Sequence, residues 1–188
     1  PGKPKPAPSE SEGGKGEFGL TADACDFIQK NRDRPFFAYL AHNAPHIPYT
    51  ARADRTKANA KAFEPTYAAV VESLDESVGV LLKKLDDLGL AENTLVIFTS
   101  DNGGLHVPEL KHERVTHNGE LRAGKGYLYE GGTRIPLIVR WPGHVKPGTA
   151  VDTPVITTDW LPTLAELAGQ KLPKELDGTS LAPLLLGT

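Results

Sequence analysis

The feature that most constrains the fold is a long amphipathic segment followed at once by a short apolar run. Between Phe63 and Leu88, apolar residues recur at spacings of three and four, with charged or small polar residues between them. This spacing predicts one long helix with a single apolar face, ending at Gly89. The next run, "TLVIFTS" at residues 94–100, is typical of a strand buried on both faces. A helix that leads directly into a buried strand indicates an α/β fold. The residues of the apolar face are Phe63, Tyr67, Val70, Val71, Leu74, Val78, Leu81, Leu82, Leu85 and Leu88.

The rest of the chain continues the same alternation. "RPFFAYLA" (34–41) and "IPLIVRW" (135–141) predict two more strands, and residues 21–31 and 159–169 predict helices. "LDGTSLAPLLLG" (176–187) predicts a turn and a short final helix, whereas residues 42–60 and 101–133 read as loops. This order predicts a mostly parallel sheet with helices on both faces.

Residues 1–19 differ in composition from the rest. They are rich in Pro, Gly, Ser, Lys and Glu, which predicts a linker or flexible surface loop, with the folded portion at 20–188. The chain contains no methionine and begins "PGKPKPAPSE", so we expect an internal or processed piece of a larger protein. A net charge of −3 gives no indication of a nucleic-acid partner. No apolar run approaches the roughly 20 residues that a membrane span needs.

The single cysteine, Cys25, excludes an internal disulfide and a cysteine-based zinc site. It lies in a predicted helix between Asp23 and Asp26, whose negative charges would raise the pKa of the thiol. We therefore interpret it as a buried helix residue rather than a nucleophile.

Asp101 and Asn102 follow a predicted strand directly, where ligands of open α/β sheets bind. Their side-chain oxygens suit Ca²⁺ or Mg²⁺. "DNGG" is equally good turn chemistry, and from spacing alone the two interpretations are balanced. Two oxygens cannot complete a calcium shell of roughly 6–8 ligands, so a bound metal requires ligands from elsewhere.

Two basic side chains could act on an anion. Lys125 lies between Gly124 and Gly126, where a flexible backbone would let the ammonium approach an oxyanion, although a solvated lysine in a turn is the simpler interpretation. His46 lies between two prolines after a predicted strand and could donate a proton or bind an anion, or could be a loop histidine without a task.

Five stretches, in order, resemble the sulfatase family of the alkaline-phosphatase-like superfamily. The resemblance runs from about residue 20 to the C-terminus, and "GKG", "YEGG" and "WPG" within 124–143 carry most of it. The stretches are "RPFFAYLAHNAPHIPY", "VIFTSDNGG", "LRAGKGYLYEGGTRIPLIVRWPG", "TPVITTDWLPTLAELAG" and "LDGTSLAPLLLG".

The resemblance implies a role for each of these residues. It implies that Asp101 and Asn102 bind a divalent cation, normally calcium, that Lys125 contacts the sulfate and the leaving oxygen, and that His46 contacts the sulfate and protonates the leaving group. The family nucleophile is a formylglycine made in a "CxPSR"-like motif, which this sequence lacks. The chain therefore resembles the middle-to-late part of an incomplete sulfatase fold, with the formylglycine outside it and the rest of the sulfatase chain as partner.

The implied activity is hydrolysis of a sulfate monoester on a sulfated small molecule or sulfated sugar. Two alternatives stay open: a phosphate or phosphonate ester hydrolase of the same superfamily, and a cation-binding fragment without catalysis. The chain alone is expected to have no turnover. The resemblance also implies a periplasmic or secreted location.

Substrate specificity is expected in the loop at residues 103–121. His117 and Asn118 are the candidate substrate-binding residues there, and a surface loop with scattered polar residues is an equally good interpretation.

Overall fold

A computed structural model describes residues 17–108 and 115–187 of the chain. The described residues form two compact units, one within the bounds Pro1–Ala91 and Thr99–Leu137, the other within Glu92–Phe98 and Ile138–Thr188. The described elements are α1 (Glu17–Asn31), α2 (Ala53–Ala58), α3 (Pro65–Asp87), β1 (Val96–Thr99), α4 (Glu130–Thr133), β2 (Leu137–Arg140), α5 (Trp160–Leu167) and α6 (Ala182–Leu186), with 3₁₀ turns at Ala91–Asn93 and Thr157–Asp159.

The long helix α3 forms as its sequence predicts. The Glu64 side chain accepts a hydrogen bond from the Tyr67 amide and caps the N-terminus, and Pro65 occupies the first turn. At the other end, Gly89 adopts a φ of +68°, and Leu90 N donates to Leu85 O at 2.9 Å. This is the left-handed glycine termination expected from the sequence.

The first unit is built by packing α1 and α2 against α3. Val70 and Leu85 of the predicted apolar face are buried, and so are the small residues Ala69, Ser73 and Ser77. These small residues are not part of the predicted apolar face, and Ile28 and Thr21 of α1 are buried as well. Close packing of α1 against α3 therefore buries a set of residues displaced from the one that apolar periodicity suggested. Phe63 is 82% exposed and precedes the helix, contrary to its predicted place on the buried face.

Three other expectations were wrong. "RPFFAYLA" is not a strand: no ladder partner is described for it, and Phe37 and Tyr39 are 71% and 84% exposed. "TLVIFTS" does form β1, but its residues are half-buried or exposed rather than buried on both faces.

The predicted loop 42–60 contains α2, which has no buried residue and therefore no apolar periodicity to reveal it. Polar contacts attach α2 to α3 instead, among them the Arg55–Glu76 ion pair.

The predicted boundary at residue 19 also differs from the structure. Helix α1 begins at Glu17, so the last residues of the predicted linker are helical. The rest of that segment lies outside the described residues. Cys25 is half-buried on α1, and burial raises the pKa of its thiol, with the charge of Asp26 adding to the effect and that of Lys84 opposing it.

The second unit contains the hydrogen-bonded pair β1 and β2, followed by α5 and α6, both close to their predicted positions. The buried Asp159 links its segments, because its carboxylate accepts from Ile156 N and Thr179 N, each at 2.8 Å. These two backbone donors hold the pKa of Asp159 below its ordinary value. Gly178 is required beside it, since a Cβ there would lie 2.2 Å from Thr158 O. Among the helices of the described residues, none has the length and apolarity needed to cross a bilayer.

Candidate active site

The loop that carries His46 is anchored by its apolar neighbours and presents the histidine ring to solvent. Ala44 and Ile47 are buried, whereas His46 itself is exposed. His46 N donates to Asn43 O at 3.0 Å, and the peptide bonds before Pro45 and Pro48 are both cis. The buried neighbours and this backbone hydrogen bond fix the backbone of the histidine, while its side chain stays exposed.

His46 contacts Lys125, although 79 positions separate them in the sequence. Lys125 Nζ lies 2.7 Å from His46 Nε2, and His46 Nδ1 lies 2.8 Å from the carbonyl oxygen of Ile47. A carbonyl only accepts hydrogen bonds, so Nδ1 carries the proton and Nε2 of the neutral ring accepts from the lysine ammonium. The two candidate catalytic residues thus form one cationic pair.

A cluster of five glycines, the glycine junction, brings the two loops of the site together: Gly103, Gly104, Gly124, Gly131 and Gly132. Backbone hydrogen bonds join these loops, from Gly103 N to Gly132 O and from Lys125 N to Gly104 O, both at 3.0 Å. A Cβ on Gly103 would lie 1.8 Å from Gly131 O, and one on Gly132 would lie 2.1 Å from Tyr127 O. Only glycine permits this approach of one backbone to another.

This packing revises the reason for the glycines around Lys125. The sequence suggested that Gly124 and Gly126 make the backbone flexible. Gly126 does adopt a φ of +89°, but Gly124 is buried, and its Cβ would lie 2.3 Å from Gly104 O. Gly124 therefore allows close packing that restrains the lysine.

Asp101 and Asn102 are positioned next to the glycine junction. Asp101 is exposed and Asn102 half-buried. Within residues 17–108 and 115–187, neither side chain makes a hydrogen bond or ion pair, so three side-chain oxygens are available to a cation. The same residues contain no cluster of three or more His, Cys, Asp or Glu side chains able to hold a metal. These oxygens are of the kind that a hard divalent cation prefers, and a complete site would need further ligands. Cation binding by Asp101 and Asn102 stays a prediction.

The two candidate substrate-binding residues have different surroundings. His117 is exposed, and its Nδ1 accepts from Gly119 N at 3.1 Å, which leaves a protonated Nε2. Asn118 is half-buried, and its amide makes three hydrogen bonds to the backbone of Gly104 and Ala123. Substrate contact by either residue stays a prediction.

The structure also reveals aromatic contacts beside Lys125 that sequence reasoning missed. The Arg122 guanidinium lies 3.7 Å from the centroid of the Tyr129 ring. His106 packs edge-on against Tyr127, with 6.0 Å between the two ring centroids. Arg134 pairs with Glu130 at 3.3 Å, whereas Arg122 stacks on an aromatic ring. In a loop, a separation of seven residues does not predict that the Arg122 and Tyr129 side chains are in contact.

With this arrangement established, comparison with known proteins identifies the family. A sequence model of the sulfatase family matches residues 18–170, and the chain belongs to that family. It is 43% identical over 173 residues to steryl-sulfatase from Rattus norvegicus, and 45% identical over 171 residues to arylsulfatase A from Homo sapiens.

Solved structures agree with this assignment. The crystal structure of Ps i-CgsB in complex with k-i-k-neocarrahexaose superimposes with a TM-score of 0.83 at 37% identity, covering 91% of this chain and 38% of that one. The fold is therefore the α/β alkaline-phosphatase-like fold, of which this chain carries a part. The matches cover 89% and 90% of this chain but only 29% of the rat enzyme and 31% of the human enzyme.

Proposed function

We propose that the whole protein containing this chain hydrolyses a sulfate monoester, with His46 and Lys125 acting at the sulfate and the leaving oxygen. The observation that carries the proposal is the 2.7 Å contact between Lys125 Nζ and His46 Nε2. Membership of the sulfatase family supports the class of reaction. The contact supports the choice of these two residues, because it brings a cation and a proton carrier together in one accessible pair.

The pair has the two properties that departure of the alcohol needs. The Lys125 ammonium attracts the negatively charged sulfate group and stabilises charge that develops on the leaving oxygen. When the Lys125 ammonium binds the sulfate, it no longer donates to His46 Nε2, and that nitrogen can then bind a proton. His46 Nδ1 keeps its hydrogen bond to Ile47 O. As the S–O bond breaks, its electron pair goes to the leaving oxygen, which takes the proton from Nε2, and the sulfuryl group passes to a nucleophile that would come from outside this chain.

The nucleophile and the cation are further parts of the proposal. A formylglycine outside this chain would supply the nucleophile when present. Asp101 and Asn102 would hold a divalent cation, which we propose is Ca²⁺ with Mg²⁺ as the alternative, because their uncommitted oxygens suit hard cations. The remaining ligands would come from the rest of the sulfatase chain.

Removing the predicted cation ligands is expected to weaken metal binding selectively. In the whole protein, Asp101→Ala or Asn102→Ala should lower calcium affinity at least about tenfold, because even outer contacts of a metal site are worth that much. Calorimetric titration of calcium into the metal-free protein measures this without an activity assay. Asp152→Ala is the matched control, since Asp152 is exposed and lies in the other unit. Unchanged affinity in the Asp101 variant would remove that residue from the cation site.

The proposed substrate is a sulfated sugar or a sulfated small molecule. Support comes from the relatives: one is named a steryl-sulfatase, and the solved structure of another holds a neocarrahexaose. We propose that His117 contacts the substrate, because its protonated Nε2 is exposed in the same unit as Lys125. A periplasmic or secreted location is also proposed, on family resemblance alone.

Matched esters test the function directly. The whole protein should hydrolyse an aryl sulfate with a kcat/KM well above that for the aryl phosphate of the same phenol, and the isolated chain should hydrolyse neither. A preference for the phosphate would favour the alternative reaction of the superfamily. No turnover of either ester by the whole protein, carrying its formylglycine and calcium, would favour the non-catalytic alternative.

A further inference from the structure

The side-chain amide of Asn118 makes all of its hydrogen bonds to backbone atoms near Lys125. Its Oδ1 accepts from Gly104 N at 2.9 Å, and its Nδ2 donates to Gly104 O at 3.0 Å and to Ala123 O at 2.9 Å. Both amide donors are thereby occupied. One side chain joins the loop after Asp101 and Asn102 to the loop that leads into Lys125.

The connection to the lysine is direct. The Gly104 carbonyl accepts from both Asn118 Nδ2 and Lys125 N, each at 3.0 Å. Ala123, two residues before the lysine, has a φ of +62°, a left-handed conformation that non-glycine residues seldom adopt. Such a conformation persists only where the surroundings hold it, and Asn118 bonds to the carbonyl of that residue.

The glycines on either side leave the space that this amide needs. A Cβ on Gly104 would lie 2.8 Å from Asn118 Oδ1, and one on Gly124 would lie 2.7 Å from Asn118 Nδ2. Aspartate would retain the shape but lose both donors, and its carboxylate would face two carbonyl oxygens. The site is therefore specific for a side chain of this length with one acceptor and two donors.

We propose that Asn118 is a positioning residue, which holds Lys125 against His46 and sets its position relative to the Asp101–Asn102 pair. This inference rests on the proposed function of Lys125. It also replaces a direct substrate contact as the role of Asn118, because the amide is already engaged.

Kinetics and chemical labelling of the whole protein test this role together. Asn118→Ala should lower kcat for an aryl sulfate about 100-fold, the cost of misplacing a catalytic group by about 1 Å, while KM stays near the wild-type value. In the same variant, acetic anhydride labelling followed by mass spectrometry should show faster acetylation of Lys125. Lys171, exposed and in the other unit, is the internal reference.

Two further variants separate positioning from general stability. Asn59→Ala removes a comparable amide, which bonds Arg55 O and the Glu72 carboxylate, and should leave both kcat and Lys125 labelling unchanged. Asn118→Asp should change kcat and Lys125 labelling as Asn118→Ala does, because aspartate lacks the two N–H donors that bind Gly104 O and Ala123 O.

The outcomes distinguish this inference from the proposed function. Unchanged Lys125 labelling in both Asn118 variants would overturn the positioning role, whatever the activity. Full activity in Asn118→Asp would also overturn it. If Lys125→Ala itself retained wild-type turnover, the proposed function of the lysine would fail, and labelling would still decide whether Asn118 positions it.

Discussion

Lys125→Ala in the whole protein is expected to lower kcat/KM for an aryl sulfate about 100- to 1,000-fold, the usual cost of removing one group that stabilises an oxyanion. The ammonium carries the positive charge of the pair, and His46 Nε2 alone cannot replace it. Initial rates at several substrate concentrations measure the loss. Lys171→Ala, which removes an exposed lysine from the other unit, should retain wild-type rates.

The loss of activity in His46→Ala should depend on the leaving group. Proton donation matters most when the alcohol is a poor leaving group. The variant should therefore hydrolyse an alkyl sulfate up to about 10,000-fold more slowly than the wild type does, with a smaller loss of rate for p-nitrophenyl sulfate. Equal losses on both esters would contradict a role for His46 as proton donor and leave it as an anion ligand. Wild-type turnover by both variants would contradict the assignment of the pair.

Gly103→Ala is expected to cost about 1–3 kcal/mol or more in the free energy of unfolding, the range for inserting a group into close packing. Its Cβ would lie 1.8 Å from Gly131 O, a backbone atom that cannot rotate away. The loop after β1 must then separate from Gly131 of α4, so the site should lose activity as well. Urea unfolding and aryl sulfate hydrolysis by the whole protein measure the two effects.

Gly79→Ala is the matched control for that substitution. Gly79 is exposed in the middle of α3, and a Cβ there would meet nothing within 4 Å. Alanine should stabilise the helix by about 1 kcal/mol, because glycine is the poorer helix former. If Gly103→Ala were as stable as Gly79→Ala, the glycine junction would not be the constraint described above.

The helices were predictable where local chemistry determines them. Helix α3 has a proline start, a periodic apolar face and a glycine end, and all three signals lie within its own sequence. Helix α2 lacks such signals because it is stabilised by polar contacts with α3. Residues 34–41 show the opposite case: they have strand composition, but a strand also requires a hydrogen-bonded neighbour, which local sequence cannot supply.

The contact between the two candidate catalytic residues was not predictable from the sequence. Resemblance to a family singled out His46 and Lys125, whereas their contact depends on how loops 79 residues apart fold together. Asn118 was predicted to contact substrate, because an asparagine in a polar loop has no local signal for its partners. Its three hydrogen bonds to the backbone could not be predicted, and they are the basis of the positioning role that we propose.

The double variant His46→Ala with Lys125→Ala tests most directly whether the pair is one catalytic unit. Groups that act together lose their effect together, so the double variant should hydrolyse an aryl sulfate no more than severalfold more slowly than the worse single variant. If the two single losses multiplied in the double variant, the residues would act independently, and the 2.7 Å contact between Lys125 Nζ and His46 Nε2 would not be the basis of catalysis.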